Sequence, residues 1–423
     1  MIQNYKYIIS KGLPVVIVFV LVSCTSNVSF APRKTAFNDG WSFHLNNKAI
    51  DNDTISAAVK WRNLNLPHDW SIEQAFNEHS PAGIGGGALD GGLGWYKKTF
   101  KITPQDSSKI TSIVFDGVYM NSDVWINGHH LGNRPNGYIG FEYNLTPYLY
   151  YGDKENEILV KVNNAQQPNS RWYSGSGIYR NVWLKKTDKA HITQWGTFIT
   201  TPKVSKEYAT VILESNIANE YPEAKELTIT TTLFFGKKEI RTASKKINTA
   251  AKRVHSVTQE FTVNEPLLWS PDEPNLYEAV TTIQLKNKTI DVYSTPFGIR
   301  EFKFDLNKGL LLNGTQVKIK GVCLHHDLGP LGSAVNTRAI ERQLEIMKEM
   351  GVNGIRTSHN APAPELLDLC DKMGFIVMDE AFDMWAQAKN PYDYSLYWDK
   401  WHKRDLEDQI MRDRNHPSVL FGV

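Results

Sequence analysis

The stretch NGIRTSHNAPAPELLDLCDKMGFIVMDE, residues 353–380, decides the fold. Apolar strand patterns at 351–359 and 375–382 flank a helix pattern at 364–373. A proline in the first turn and Gly374 after the last turn favour a helix with those ends. Continuous apolar strands that alternate with helices predict a parallel sheet covered by helices.

The same alternation extends to both sides of this stretch. A strand at 316–326 and a helix at 337–350 precede it, and a helix at 398–413 and a strand from Val419 follow it. The first of these helices carries its apolar residues on one face, and Gly351 is placed to end it. A complete (β/α)8 barrel needs about 250 residues, and about 120 follow residue 300. The sequence therefore predicts the first half of a TIM barrel.

The preceding residues predict only β-structure. Short strands separated by Gly, Asn and Pro at 37–184 predict a sandwich, with alternation at 122–126 and a turn at Asn127-Gly128. The glycine-rich stretch 83–94 is predicted to be a loop. Further short strands at 190–298 predict a second, immunoglobulin-like sandwich. The fold class is thus multidomain β plus α/β.

The N-terminus has the pattern of an exported lipoprotein. Lys6 and Lys11 precede an apolar run at 13–22, and the run leads into Leu-Val-Ser-Cys, which ends at Cys24. This pattern predicts a signal peptide at 1–24 with a lipobox, lipidation of Cys24 and a location in the periplasm or outer membrane. The alternative is a plain secretion signal with an incidental cysteine. The remaining Cys323 and Cys370 give no disulfide framework.

Composition excludes one class of partner and favours another weakly. The formal net charge is +2, and no basic stripe is interleaved with aromatic residues, so nucleic acid is not an expected partner. Aromatic residues make up 11% of the chain, with 12 Trp, a composition common to carbohydrate-handling proteins and to aromatic cores. No cofactor is evident, and oligomeric state stays open.

Polar side chains follow three successive strands of the predicted barrel. Functional groups in such barrels cluster at the C-terminal ends of the strands, which predicts one site at this rim. A polar loop explains any one strand end, but three in succession favour a site. The residues are His325, His326 and Asp327 after the first strand, Arg356, His359 and Asn360 after the second, and Asp379 and Glu380 after the third.

These residues also carry a resemblance. The stretch from Asn353 to Glu380 resembles the long signature of glycoside hydrolase family 2. Shorter pieces agree in order, among them Gly94-Trp-Tyr-Lys-Lys-Thr-Phe, Gly177-Ile-Tyr-Arg-Asn-Val-Trp-Leu and Pro296-Phe-Gly-Ile-Arg. The resemblance covers the chain after the leader. It implies a jelly-roll sugar-binding domain at 30–187, an immunoglobulin-like domain at 188–299 and the N-terminal half of the catalytic barrel at 300–423.

The resemblance also implies an activity. Within the family the sequences of these motifs are most similar to those of bacterial β-galactosidases of the gut Bacteroides type. This similarity implies a retaining hydrolase for terminal non-reducing β-D-galactosides and an oligosaccharide substrate. The alternatives are a β-glucuronidase or β-mannosidase of the same family and a non-catalytic carbohydrate-binding product.

Site roles follow from motif positions in the resemblance. His359 resembles a histidine that binds the sugar near the reacting centre, and Arg356 resembles the arginine that orients the nucleophile carboxylate. Asp327 matches a position that contacts ring hydroxyls, beside His325 and His326. Arg171 of the first domain matches a residue that reaches across to the sugar.

The carboxylates at the third strand end have a separate interpretation. Asp379 and Glu380 are expected either to contact the sugar or to anchor the rim, but adjacent strand residues point to opposite faces and do not form a catalytic pair. The resemblance places the acid/base and nucleophile glutamates beyond Val423, so the chain is expected to be inactive. Met384 and Ala386 occupy the positions of a metal-ligand pattern of some relatives, and metal dependence stays open.

Overall fold

The computed structural model describes residues 32–46 and 59–422. The predicted leader and Cys24 lie outside these ranges. Two β-sandwiches precede a parallel sheet with helices, which is the predicted multidomain architecture. Within the part of the chain that the structure describes, no helix is both long and apolar enough to cross a membrane.

The first sandwich pairs its strands antiparallel in two sheets. Among the residues described up to 188, one sheet has the order β1-β10-β5-β8 and the other β3-β2-β4-β9-β6-β7. The strands are β1 (Lys34–Ala36), β2 (Trp41–Asn46), β3 (Arg62–Leu64), β4 (Gly92–Phe100), β5 (Ile110–Phe115), β6 (Ser122–Ile126), β7 (His129–Arg134), β8 (Phe141–Asn144), β9 (Asn156–Asn164) and β10 (Val182–Thr187).

Alternating burial holds the two sheets together. In β6 the side chains at 122, 124 and 126 are buried and those between them are partly exposed, as the sequence predicts. Asn127 and Gly128 both have positive φ, 50° and 81°, which is the geometry of a two-residue hairpin turn. The predicted loop ends earlier than expected, because β4 begins at Gly92. A Cβ on Gly94 would lie 2.5 Å from the Trp70 ring, so this glycine serves close packing within a strand.

The second sandwich is immunoglobulin-like. Over residues 190–297 it forms a sheet of order β11-β12-β15 against one of order β14-β13-β16-β17, and all pairs are antiparallel. Its inner faces bury Leu213, Leu233 and Phe261. The strands are β11 (Ala190–Val204), β12 (Tyr208–Asn219), β13 (Lys225–Phe235), β14 (Lys238–Thr249), β15 (Arg253–Asn264), β16 (Tyr277–Leu285) and β17 (Lys288–Phe297).

The remaining residues form the barrel portion. A small antiparallel sheet, β18 to β20, precedes four parallel strands in the order β21-β22-β23-β24, each joined to the next through a helix. The elements are β18 (Phe302–Asp305), β19 (Gly309–Leu312), β20 (Thr315–Gln316), β21 (Gly321–Leu324), α1 (Thr337–Glu349), β22 (Gly354–Thr357), α2 (Pro364–Met373), β23 (Ile376–Asp379), α3 (Trp398–Asp413) and β24 (Val419–Gly422).

Helix ends match the sequence prediction closely, whereas the first barrel strand does not. The Asn336 side chain caps α1 by accepting from the Ala339 N–H, and Gly374 ends α2 with φ 73°. The predicted strand at 316–326 is reduced to β21. The Asn353 side chain binds the Lys320 N–H at 2.7 Å and the Lys318 carbonyl at 3.0 Å, so a side chain replaces strand pairing there.

Hydrogen bonds join the barrel portion to the second sandwich. The Arg300 guanidinium donates to the carbonyls of Pro417 and Val419 at 2.6 and 2.8 Å. The Asn415 side chain accepts from the Ile199 N–H at 2.9 Å. His416 lies beside these contacts, and its Nδ1 is 2.6 Å from Asp371 Oδ2. The segment that enters β24 therefore fixes one side of the barrel portion.

The His416–Asp371 pair predicts a pH dependence of stability. Burial alone would lower the pKa of His416, but Asp371 outweighs it and raises the pKa from 6.5 to about 9. Because the folded-state pKa is raised, the pair stabilises fully below pH 6.5, and this stabilisation is lost as pH rises through about 9. The loss amounts to at most about 3 kcal/mol.

Urea unfolding between pH 6 and pH 10 measures this contribution. The wild-type chain loses stability over that range, and Asp371→Asn, which keeps an oxygen for the Ser418 N–H, loses much less. Equal losses in the two proteins would contradict the assignment.

Candidate active site

The rim residues predicted from sequence lie at the C-terminal ends of neighbouring parallel strands. His325 follows β21, His359 follows β22 and Glu380 follows β23. Since β21, β22 and β23 are hydrogen-bonded in that order, their ends meet at one edge of the sheet.

Glu380 is the centre of the polar contacts at this rim. Its Oε1 accepts from Arg356 Nε at 2.7 Å and Nη2 at 2.5 Å, and its Oε2 lies 2.7 Å from His359 Nδ1. The Glu380 N–H donates to Thr357 Oγ1 at 2.9 Å. The Glu380 side chain is only 6% exposed, whereas that of Arg356 is 40% exposed. Glu380 therefore fixes Arg356 and His359 while the guanidinium keeps an open face.

An aromatic wall comes from the first sandwich. The Trp172 ring lies 5.4 Å from the His325 ring and 5.6 Å from the His359 ring, centroid to centroid. The two imidazoles are 5.7 Å apart and perpendicular. Burial and the neighbouring His359 lower the pKa of His325, which favours a neutral ring. The site thus combines an indole with imidazoles that offer hydrogen-bonding nitrogens.

Arg171 reaches the rim, where it binds a carboxylate that the sequence analysis missed. Its Nε and Nη2 donate to the two oxygens of Asp383 at 2.8 and 2.5 Å, and Lys389 Nζ donates to Oδ1 at 2.8 Å. Burial would raise the pKa of Asp383, but these two cations outweigh it and hold the pKa below its ordinary value. Asp383 follows Glu380 by three residues at the same strand end, which is the signal that could have found it.

Two predicted residues point away from this cluster. The His326 ring packs against Tyr138 and Tyr179, and burial lowers its pKa to about 4. Asp379 is buried against α3, where Gln409 donates to its Oδ1 at 2.8 Å, and burial together with Asp413 raises its pKa well above the ordinary value. Alternation along the strand explains why Asp379 and Glu380 diverge. The His326 and Asp379 side chains are thus engaged by protein neighbours, which for Asp379 fits the alternative of anchoring the rim, and their contact with a sugar stays a prediction.

Asn360 and Asp327 complete the set of predicted residues. Asn360 is 4% exposed and lines a cavity of about 40 Å³ with Trp172, His359 and Asp383. The Asp327 carboxylate is partly buried and close enough to His325 to act against the lowering of its pKa. Across residues 32–46 and 59–422, no three or more His, Cys, Asp or Glu side chains are grouped so as to hold a metal ion.

The contacts of Glu380 predict its mutational effect. In Glu380→Gln one amide N–H₂ faces a donor of Arg356 or His359, so we expect the free energy of unfolding to fall by about 2 kcal/mol. Asp327→Asn, at the same rim, is the control and is expected to change it by less than about 0.5 kcal/mol. Urea denaturation measures both variants, and a Glu380→Gln protein as stable as wild type would refute the central role of this carboxylate.

Comparison with known proteins agrees with this architecture. Three models of glycosyl hydrolases family 2 match in succession: the sugar binding domain at 35–188, a model described only by the family name at 190–300 and the TIM barrel domain at 305–422. A β-galactosidase of Bacteroides ovatus is 52% identical over 403 residues, which are 95% of this chain and 47% of that protein. A putative β-glucuronidase of Formosa agariphila is 40% identical over 420 residues, 99% of this chain and 40% of that protein.

Solved structures give the same result. A glycosyl hydrolase family 2 member from Bacteroides cellulosilyticus superposes with a TM-score of 0.88 at 39% identity, over 92% of this chain and 52% of that chain. The chain spans about half the length of the curated relatives it matches. The sandwiches, the barrel portion and the three matched models together show that the chain belongs to glycosyl hydrolases family 2.

Proposed function

We propose that the chain forms the sugar-binding part of a retaining β-galactosidase active on terminal non-reducing β-D-galactosides of oligosaccharides. The convergence of Trp172, His325, His359 and the Arg356–Glu380 pair at one rim carries the proposal. An aromatic face with a few convergent polar groups is the composition of a small-ligand site. The 52% identity to a β-galactosidase supports galactose as the sugar.

The proposed mechanism assigns the chain a binding role in two-carboxylate chemistry. A retaining hydrolase needs two carboxyl groups about 5–5.5 Å apart. At this rim Glu380 is engaged by Arg356 and His359, and Asp383 is engaged by Arg171 and Lys389. We propose that the acid/base and the nucleophile are not among the described residues. The open face of the Arg356 guanidinium then binds the nucleophile carboxylate in the assembled site.

A β-glucuronidase is the second candidate. The relative from Formosa agariphila, 40% identical, bears that description. A carboxylate-bearing sugar needs a cation in the pocket, and Arg171 at this rim already binds Asp383 through both of its contacting nitrogens. This engagement favours the neutral galactoside.

Calorimetric titration of the 423-residue chain with isopropyl β-D-thiogalactoside and phenyl β-D-thioglucuronide tests the sugar class. We expect tighter binding of the thiogalactoside and, in Trp172→Ala, about a tenfold loss of affinity because one stacking face is removed. Tyr208→Ala, an exposed aromatic residue of the second sandwich, is the control. Preference for the thioglucuronide would select the second candidate, and binding of neither sugar would refute both.

An activity assay tests whether catalytic carboxylates lie among the described residues. With an aryl β-galactoside we expect almost no turnover by the 423-residue chain, because we propose that neither the acid/base nor the nucleophile is among the described residues. Turnover that survives mutation of Glu380 and Asp383 would place catalytic carboxylates elsewhere in the chain and contradict this part of the proposal.

We also propose export and lipidation at Cys24. The apolar run at 13–22 followed by Leu-Val-Ser-Cys supports it. In a Gram-negative host the chain is expected in the detergent-extracted membrane fraction, and Cys24→Ala in the soluble fraction. Identical fractionation of the two would refute lipidation.

A further inference from the structure

Four aromatic rings form a continuous cluster beside the candidate site. The Phe382 ring stacks on Tyr394 with centroids 5.1 Å apart and planes 10° from parallel. The Trp398 ring lies 5.4 Å from Phe382 and 5.4 Å from Trp385. We call Phe382, Trp385, Tyr394 and Trp398 the rim aromatic cluster. Its outermost member, Trp385, is 53% exposed.

The rim aromatic cluster begins at the wall of the site. Phe382 and Tyr394 line the same 40 Å³ cavity as Trp172 and His359. Trp385 lies 6.2 Å from Phe382, on the solvent side of it. The cluster therefore leads from the residues proposed to hold the galactose outward to solvent.

Buried polar contacts fix the cluster in place. Asp383, next to Phe382 in the chain, is bound by Arg171 and Lys389. The Tyr394 hydroxyl donates to Asp405, whose carboxylate also pairs with Arg134 at 2.6 Å. A surface anchored in this way is preorganised, so a ligand loses little affinity to ordering it.

The exposure of this cluster distinguishes it from a core. About half of the surface of Trp385 faces solvent. Leu396, in the same segment between β23 and α3, is 59% exposed. Exposed apolar surface that continues from a binding site marks a place where ligand binds.

The size of the exposed patch decides which class of ligand fits it. A specific protein interface buries about 800 Å² per partner, several times the area of one indole, whereas one pyranose ring matches an indole in size.

We propose that the rim aromatic cluster is the subsite for the sugar on the leaving-group side of the scissile bond, with Trp385 as its stacking platform. The apolar C–H face of a pyranose packs on the indole, and Lys389, whose Nζ binds Asp383 at the same strand end, donates to a hydroxyl. This inference rests on the proposed function, since it assumes a galactosyl unit against Trp172 and His359. It names the substrate class as galactosyl oligosaccharides, as distinct from simple alkyl or aryl galactosides.

Titration of the 423-residue chain with two non-hydrolysable probes tests the proposal. The probes are isopropyl β-D-thiogalactoside, which lacks a second sugar, and a thio-linked galactosyl disaccharide. Wild type is expected to bind the disaccharide more tightly. Trp385→Ala is expected to lose about tenfold in affinity for the disaccharide and to keep its affinity for the monosaccharide, because one stacking contact with the second sugar is removed.

Two further variants make the test specific. Trp385→Phe retains an aromatic face and is expected to keep most of the disaccharide affinity. Tyr208→Ala removes an aromatic side chain that is 44% exposed in the second sandwich and is expected to change neither affinity. Thermal melting checks that Trp385→Ala folds like wild type, as the exposure of the ring predicts.

Each other outcome overturns the inference in a recognisable way. Unchanged disaccharide affinity in Trp385→Ala means that the indole is not a subsite. Equal losses for both probes mean that Trp385 acts on the galactose position. If neither probe binds wild type, the proposed function itself fails, and this inference fails with it.

Discussion

The arrangement of the site depends on one buried guanidinium. Arg180 of the first sandwich has no exposed surface and donates to the carbonyls of Ala361 and Pro362, both at 2.9 Å, and to the Tyr138 carbonyl at 2.8 Å. Burial lowers its pKa. Charged donors bind buried carbonyls more strongly than neutral donors do, and removing them leaves those carbonyls unsatisfied. Because the loop after β22 carries His359, Arg180 sets where this histidine stands relative to Trp172.

The same kind of contact recurs on the other side of the barrel portion. Arg300 donates to the carbonyls of Pro417 and Val419, and the Trp269 indole N–H donates to the carbonyl of Asp371 at 2.9 Å. In each case a side chain next to or within a sandwich satisfies backbone carbonyls at the end of an element of the barrel portion, namely the last turn of α2 and the entry to β24. Side chains of the first sandwich and of the region around the second sandwich thus both hold the segments next to the parallel strands. These contacts fix the positions of the rim residues.

Local signals made much of this fold predictable from sequence. Helices α1 and α2 are set by caps within a few residues of their ends, and the hairpin at Asn127-Gly128 is set by its own turn. The clustering of His325, His359 and Glu380 followed from a general property of parallel strands. Such features require only neighbours in sequence or a common strand direction.

Contacts between distant segments were not predictable in this way. Arg171 and Asp383 are 212 residues apart, so no feature of the neighbouring sequence indicates that they bind each other. The sequence predicted only that Arg171 reaches the sugar. Alternation implied that Asp379 and Glu380 diverge, but only the packing of α3 shows which of them is buried against a helix. His326 likewise looks like His325 in sequence and differs only in the neighbours that bury it.

Hydrogen exchange of the 423-residue chain tests most directly whether Arg180 positions the site. Arg180→Met keeps the bulk of the side chain and removes its donors, so we expect the amides of residues 356–361 to exchange at least about tenfold faster while the sandwich strands stay protected. Arg134→Met, which removes the partner of Asp405, is the matched control and is expected to affect α3 instead. Unchanged exchange at 356–361 in Arg180→Met would contradict the account.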